Sequence, residues 1–238
     1  MRAAAAPLAA LAAGALLACA FAPLNLWPLA VLCPALLMLL WEEAAPARAA
    51  LLGFCFGVGT FGAGTWWLYI SIHGFGLAPI WLTLLLVAAL VTIMAAYYAL
   101  LGYLAVRWLP PAGALRWFLG LPALWLLVEW WRGWFLSGFP WLSLGYSQTD
   151  TALRAYAPVL GVYGISALLL LQSGALVALL RAGHEAGRPG VATPRRRVAR
   201  LRWTAALLLL LPWALGWPLA RVAWTHESGP PLSVAILQ

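Results

Sequence analysis

The sequence predicts an all-α membrane protein with about seven transmembrane helices. Hydrophobic residues make up 65% of its 238 residues and charged residues only 8%, whereas a soluble domain carries about 25% charged residues. So few charges cannot cover a surface that faces water, and lipid must therefore surround most of the chain. The chain accordingly divides into several membrane spans with connections, not into one water-soluble core.

The candidate spans are apolar runs, because a helix needs about 20 apolar residues to cross the hydrocarbon layer. The second run is short and the fourth is long, so we expect uneven tilts instead of a regular bundle. The runs cover residues 4–22, 26–41, 49–71, 79–108, 114–131, 156–180 and 203–220.

The first run also resembles a secretory signal peptide, with Arg2 before an apolar core and LLAC at 16–19 similar to a lipoprotein cleavage site. Leu17 occupies a position where a small residue is usual, and six further apolar runs follow. We therefore expect a retained first span.

The arginines predict the orientation. All fourteen basic residues are arginine, and seven of them lie in the polar loop 181–202. A cytoplasmic N-terminus places eleven arginines inside and three outside, as the positive-inside rule requires. Residues 1–220 are thus predicted to form a multi-pass domain, with the C-terminus across the membrane. The net charge of +8 then reflects a loop near anionic lipid, and we expect no nucleic-acid binding.

The three cysteines, Cys19, Cys33 and Cys55, lie inside apolar runs. Their number is odd and their spacing matches no metal or disulfide pattern. We interpret them as packing residues, and the sequence indicates neither a metal nor a cofactor. The absence of lysine excludes any chemistry within this chain that needs a lysine amine.

Two features of the spans indicate helix packing. Gly53 and Gly57 form a GxxxG pair, which permits close approach of helices. The alternative is a flexible flank that admits lipid. Gln172 and Ser173, within the sixth run, are predicted to donate hydrogen bonds to a neighbouring helix.

Glu129 is a carboxylate at membrane depth, near the end of the fifth run. Such a group is costly and is by default a candidate for function. Arg132 follows one helical turn later and offers a structural pairing instead. The sequence leaves both interpretations open.

The segment 137–150, SGFPWLSLGYSQTD, interrupts the apolar pattern. Pro140 and the glycines deny it a continuous helix, and Phe139, Trp141 and Tyr146 are too apolar for an ordinary exposed loop. We expect the segment to lie at the membrane interface, with its rings in the acyl boundary. Such a segment is suited to gripping an amphipathic substrate; the alternative is a loop that only anchors two helix ends.

The tail, residues 230–238, contains the short β-prone run LSVAIL after two prolines. One strand cannot stand alone in water. Residues 221–238 are therefore predicted to be a linker and the first strand of a domain outside the membrane.

The stretches VEWWRGWFLSGFPWLSLGYSQTD and APVLGVYGIS resemble those of the apolipoprotein N-acyltransferases. FAPLNLWPLA and PLSVAILQ are similar to segments of the same family and occur in the same order. The resemblance covers essentially the whole chain, and the GFPW and GYSQ block is its most specific part.

The resemblance implies a bacterial inner-membrane enzyme with a multi-span domain and a periplasmic nitrilase-like αββα domain. It implies a phospholipid as acyl donor and the α-amine of the S-diacylglyceryl-cysteine of an apolipoprotein as acceptor. A Cys thiolate, a Glu base and an oxyanion-stabilising Lys would carry the reaction. In the family these residues lie beyond the strand that LSVAILQ resembles. We therefore expect no catalytic residue in this chain and no activity from it alone.

The resemblance also suggests candidate substrate-binding residues. Gly138 and Trp141 of GFPW match positions important in the family, whereas Tyr146, Gln148 and Glu129 are weaker candidates. Two other functions are open: a multi-span transporter, against which the scarcity of charge within the spans counts, and a non-catalytic membrane scaffold.

Overall fold

A computed structural model describes residues 5–186, 195–226, 228–229 and 233–235. Within these ranges the chain forms helices and turns, with no strand. The long helices are α1 (Ala5–Ala18), α2 (Leu29–Trp41), α3 (Pro46–Gly64), α4 (Ile80–Trp108), α5 (Leu121–Arg132), α6 (Ala157–Ala186) and α7 (Arg195–Leu219). The connections contain the π-helical turns Ile70–Phe75 and Arg116–Gly120 and the 3-10 turns Phe135–Ser137, Leu144–Gln148 and Ala152–Tyr156.

Each predicted apolar run overlaps one of these helices. Four helical segments are long and apolar enough to cross a membrane: Pro46–Gly64, Ile80–Trp108, Ala152–His184 and Val198–Leu219. Helices α1 and α2 have only 14 and 13 residues, about 20 Å at 1.5 Å per residue. The all-helical membrane architecture is confirmed, whereas the number of seven crossings stays a prediction.

The turn between α1 and α2 contains two prolines. Pro23 and Pro28 lie in the turn after α1, and α2 begins directly after Pro28. Proline lacks the backbone N–H that a helix interior requires. Of the six residues of the predicted strand LSVAIL, the three that are described, 233–235, have no strand conformation, and the other three lie outside the described residues.

Glycines set the central packing of α3 against α1 and α4. A Cβ atom added to Gly53 would lie 2.1 Å from the carbonyl oxygen of Tyr98, and one added to Gly59 would lie 2.1 Å from that of Leu11. No side chain fits at either distance. The packing interpretation of the GxxxG pair is thus confirmed, since Gly57 also faces the backbone of Ala95.

Aromatic rings fill the space where α3, α4 and α5 meet. Phe56, Tyr98 and Trp125 are buried. The centroid of the Trp125 ring lies 6.2 Å from that of Phe56 and 5.4 Å from that of Tyr98, both in edge-on geometry. Such pairs add about 0.5–1.5 kcal/mol beyond the burial of their area. This cluster fixes α5, which carries Glu129 and Arg132.

At one end of the bundle, named here the arginine-rich end, polar contacts join α2, α6 and the turn before α5. Glu42 pairs with Arg181 and accepts a hydrogen bond of 3.0 Å from Trp117 Nε1. The buried Arg116 donates to the carbonyl oxygens of Ala105 and Pro110, at 3.1 and 3.0 Å.

At the opposite end of the bundle, named here the tryptophan end, the turn after α1 meets the connection between α5 and α6. Asn25 Nδ2 donates to Asp150 across 3.1 Å. The rings of Trp27 and Trp213 lie 4.4 Å apart, and those of Trp67 and Trp141 lie 6.1 Å apart. The connections predicted to share a side of the membrane therefore meet in space. Which side is cytoplasmic stays a prediction.

Helix α6 is tied to its neighbours by the two polar residues that the sequence singled out. Gln172 Nε2 lies 3.4 Å from the carbonyl oxygen of Leu209 in α7. Ser173 Oγ lies 2.9 Å from the carbonyl oxygens of Val31 in α2 and Leu169 in its own helix. The predicted role of these residues in holding helices together is confirmed.

Candidate functional site

Arg132 holds the first half of the segment 137–150. It is the last residue of α5, and only 2% of it is exposed. Its guanidinium donates to the carbonyl oxygens of Phe139 and Trp141, the latter at 2.8 Å, and to Ser143 Oγ at 3.1 Å. Because proline and glycine prevent a helix here, these carbonyl groups need an outside donor. The flat fork of arginine supplies several donors at once.

Glu129 holds the second half of the segment. Its Oε1 atom accepts a hydrogen bond of 2.8 Å from the backbone N–H of Leu144 and one of 3.2 Å from Ser166 Oγ. The same hydroxyl accepts from the backbone N–H of Gly145 at 2.8 Å. A carboxylate and a serine thus satisfy two successive buried amides, which would otherwise be costly to desolvate.

Neither interpretation of Glu129 from sequence describes this arrangement fully. Glu129 and Arg132 do not approach within the 4.0 Å of an ion pair. Glu129 accepts a hydrogen bond from a backbone amide of the segment, whereas Arg132 donates hydrogen bonds to its backbone carbonyls. Glu129 is 4% exposed and lies beneath the segment. This placement supports a role in positioning the segment, and its predicted contact with substrate stays a prediction.

Gly138 makes the sharp turn at the start of the segment. Its φ angle is +72°, after Leu136 and Ser137, which also have positive φ angles of 52° and 74°. A Cβ atom at Gly138 would lie 2.0 Å from the carbonyl oxygen of Gly133. Only glycine combines this conformation with such close approach.

Gln148 braces the far end of the segment and is fully buried. Its Nε2 atom donates to Ser147 Oγ at 2.8 Å, and its Oε1 atom accepts from Thr151 Oγ1 at 2.9 Å. Gln148 is therefore held by contacts within the segment, and its predicted contact with substrate stays a prediction.

A cavity of about 740 Å³ opens at the tryptophan end. It lies between the segment 137–150, the end of α3 and the turn after α1. Trp141 and Tyr146 are 50% and 48% exposed and line it. The other aromatic lining residues are Phe21, Trp66 and Trp67. The cavity wall is largely apolar, and the Trp141 ring stacks on Phe139 with centroids 5.1 Å apart.

The structure thus brings together two of the predicted site residues, Trp141 and Tyr146, at the cavity. Gly138, Gln148 and Glu129 shape or support the segment behind it. Sequence reasoning missed Trp66 and Trp67 as lining residues, since tryptophans at the end of an apolar run are common at any membrane interface. It also missed the turn after α1, although FAPLNLWPLA belongs to the family resemblance.

The fold and the cavity define a multi-helix membrane protein with an apolar, tryptophan-lined cavity at one end of its bundle. Residues 13–175 match the family model described as the apolipoprotein N-acyltransferase N-terminal domain. The chain belongs to the apolipoprotein N-acyltransferase family.

Curated relatives extend this match along the chain. The chain is 46% identical over 232 residues to the apolipoprotein N-acyltransferase of Azotobacter vinelandii, which covers 97% of this chain and 42% of that protein. Identity to the Pseudomonas putida protein of the same name is 44% over 236 residues, and identity to the Vibrio cholerae one is 38% over 233 residues. These alignments cover 97% and 98% of this chain and 43% of each relative. The chain therefore spans well under half the length of the relatives it matches.

Proposed function

We propose that this chain is the membrane portion of an inner-membrane enzyme that transfers a fatty acyl chain from a phospholipid to an apolipoprotein. The acceptor is the α-amine of the N-terminal S-diacylglyceryl-cysteine. The observation that carries the proposal is the cavity at the tryptophan end, which we assign to an acyl chain of one of these lipids. Its volume of about 740 Å³ lies within the range of about 300–1,000 Å³ usual for ligand pockets.

The chemistry of the wall suits a fatty acyl chain. Each methylene group moved from water into an apolar site contributes about 0.8 kcal/mol, but a chain arriving from the bilayer gains little from hydrophobicity alone. Selection must therefore come from shape and from contacts at the interface. Trp66, Trp67, Trp141 and Tyr146 supply flat apolar faces, and indole N–H and phenol O–H groups suit the polar boundary.

The position of the polar groups disfavours a transporter. A transport site needs polar groups accessible from a central pathway. Here Glu129 and Arg132 are buried and engaged with the backbone of the segment 137–150. Their contacts support a rigid rim for a lipid site.

The acyl-transfer step itself needs a Cys, a Glu and a Lys at one site, and this sequence has no Lys. In the proposed reaction a Cys thiolate attacks the phospholipid ester carbonyl, a thioester forms and a lysophospholipid leaves. The amine of the acceptor then attacks the thioester and releases the thiolate. We assign the nucleophile, the Glu base and the Lys to a periplasmic nitrilase-like domain, and we predict that residues 1–238 alone form no thioester with phospholipid.

Crosslinking with a photoactivatable lipid tests the cavity assignment. The probe is a phospholipid that carries a diazirine in its acyl chain, added to membranes that contain the intact protein. Ala63 lines the cavity, whereas its neighbour Gly62 has open space around it and does not. Ala63→Trp should lower crosslinking to the peptides around Trp67 and Trp141 several-fold, whereas Gly62→Trp should leave it unchanged. Equal crosslinking in both variants, or label confined to other helices, would rule out the cavity as the acyl site.

A further inference from the structure

A second cavity, of about 400 Å³, lies at the arginine-rich end. It is enclosed by residues 112–118, the end of α6 and the beginning of α7. The side chains that matter for its chemistry are those of Trp117, Phe118, Arg181, Arg200, Leu201 and Thr204. The cavity is separate from the tryptophan end and shares no lining residue with the cavity there.

The charge of this cavity is only partly compensated. Arg181 pairs with Glu42, but its Nε atom is buried and has no hydrogen-bond partner among the described residues. Arg200 is exposed and forms no ion pair with any side chain that the structure describes. The surrounding stretch 181–202 has seven arginines and one acidic residue, Glu185. The cavity therefore offers donors and positive charge to an anion.

The cavity also borders the lipid. Helix α7 is the least enclosed of the long apolar helices, with only 11% of the apolar window in Val198–Leu219 buried inside the bundle. Trp203 is 77% exposed, and Leu207 and Leu210 are also exposed further along the helix. A molecule seated at Arg200 could therefore lay an apolar tail along α7 without entering water.

We propose that this cavity binds the phosphate of an anionic membrane phospholipid. Arg200 would make the main charge-assisted hydrogen bond, and the free Nε–H of Arg181 would supply a second donor. Trp117, Phe118 and Leu201 would contact the glycerol and the first methylene groups. A free phosphate ion shares the headgroup chemistry but gains nothing from these apolar walls.

The proposal does not depend on acyl transfer. The proposed acyl site lies at the other end of the bundle, so either assignment can fail without affecting the other. A lipid at the arginine-rich end would act as a fixed part of the fold, joining α6, α7 and the turn before α5.

Native mass spectrometry of the intact protein tests this site. The protein would be released from mixed micelles that contain equal amounts of phosphatidylglycerol and zwitterionic phosphatidylethanolamine. One arginine near a membrane surface contributes about 1 kcal/mol toward an anionic lipid, which corresponds to about fivefold. We expect Arg200→Gln to lower the ratio of bound phosphatidylglycerol to phosphatidylethanolamine about fivefold. Arg154→Gln, an exposed arginine at the tryptophan end, should leave this ratio unchanged.

Two further arms complete the test. Arg181→Gln alone leaves Glu42 unpaired, so it is compared with the double variant Glu42→Gln, Arg181→Gln, which should fold and still show the lower ratio. Inorganic phosphate at millimolar concentration should not displace the bound lipid. An equal fall in Arg154→Gln and Arg200→Gln would show general charge attraction and would overturn the site. Displacement by inorganic phosphate would overturn its assignment to a lipid.

Discussion

Glu129 accepts a hydrogen bond from the backbone N–H of Leu144, 2.8 Å away and fifteen residues further along the chain. The bond joins the end of α5 to the middle of the segment 137–150. The hydroxyl of Ser166 in α6 donates to Glu129 and accepts from the backbone N–H of Gly145. The conformation of the segment therefore depends on a buried carboxylate as well as on its own 3-10 turn, Leu144–Gln148.

Glu129→Ala should destabilise the protein, because it leaves the amide of Leu144 and the hydroxyl of Ser166 without an acceptor. A buried group left unpaired costs about 1–3 kcal/mol. Glu129→Gln keeps a carbonyl oxygen at this position and should cost less. Thermal unfolding in detergent measures both variants, with Glu43→Ala as an exposed control. The proposed anchoring role fails if the two substitutions at Glu129 have the same small effect as the control.

Arg132→Lys should loosen the segment although it preserves the charge. A lysine ammonium cannot reproduce the planar fork that reaches Phe139, Trp141 and Ser143 together. We expect faster limited proteolysis between residues 137 and 150 and weaker lipid crosslinking at Trp141. Arg154→Lys, at an exposed position, should match the wild type in both measurements. Unchanged cleavage in Arg132→Lys would show that the contacts of this guanidinium are dispensable.

Gly138→Ala should be among the most damaging single-methyl additions. A positive φ angle at position 138 costs about 1–2 kcal/mol for a residue with a Cβ atom. The added methyl group would also clash with the carbonyl oxygen of Gly133. The matched control is Gly62→Ala, where the added methyl group has open space within a helix and should be neutral or slightly stabilising. The comparison uses the unfolding temperature of the two variants in detergent. A Gly138→Ala variant as stable as Gly62→Ala would mean that the turn relaxes without strain.

The arginine distribution predicts which end of the bundle faces the cytoplasm. In a variant whose other cysteines are all replaced by alanine, a cysteine at position 150 in place of Asp150 should react with a membrane-impermeant maleimide in whole cells. A cysteine at Glu43, beside the arginine-rich end, should react only after the cells are permeabilised. The opposite labelling pattern would reverse the predicted orientation.

The helices were predictable from hydrophobicity, because a helix that faces lipid needs apolar residues along its whole length. Hydrophobicity could not predict where α1 ends and α2 begins, since both boundaries fall at a proline-containing turn whose residues continue to read as apolar. The helix contacts of Gly53, Gly57, Gln172 and Ser173 were predictable, because small and polar residues within spans have few other roles.

The site was predictable only in part. Trp141 and Tyr146 stand out within the segment 137–150, and the structure places both at the cavity. The remaining wall comes from the turn after α1 and from Trp66 and Trp67, which only tertiary packing brings to the same place. The hydrogen-bond partners of Glu129 could not be predicted for the same reason. Every residue except proline has a backbone amide, so the sequence does not show which amide Glu129 meets.

The anchors of the segment 137–150 grip mostly its main chain, through the carbonyls of Phe139 and Trp141 and the amides of Leu144 and Gly145. Any residue other than proline presents the same backbone carbonyl and amide. The rings at positions 141 and 146 can therefore be exchanged for others while the frame that presents them keeps its shape. Substitutions at positions 141 and 146 can therefore change the shape of the cavity wall without changing the backbone that carries it.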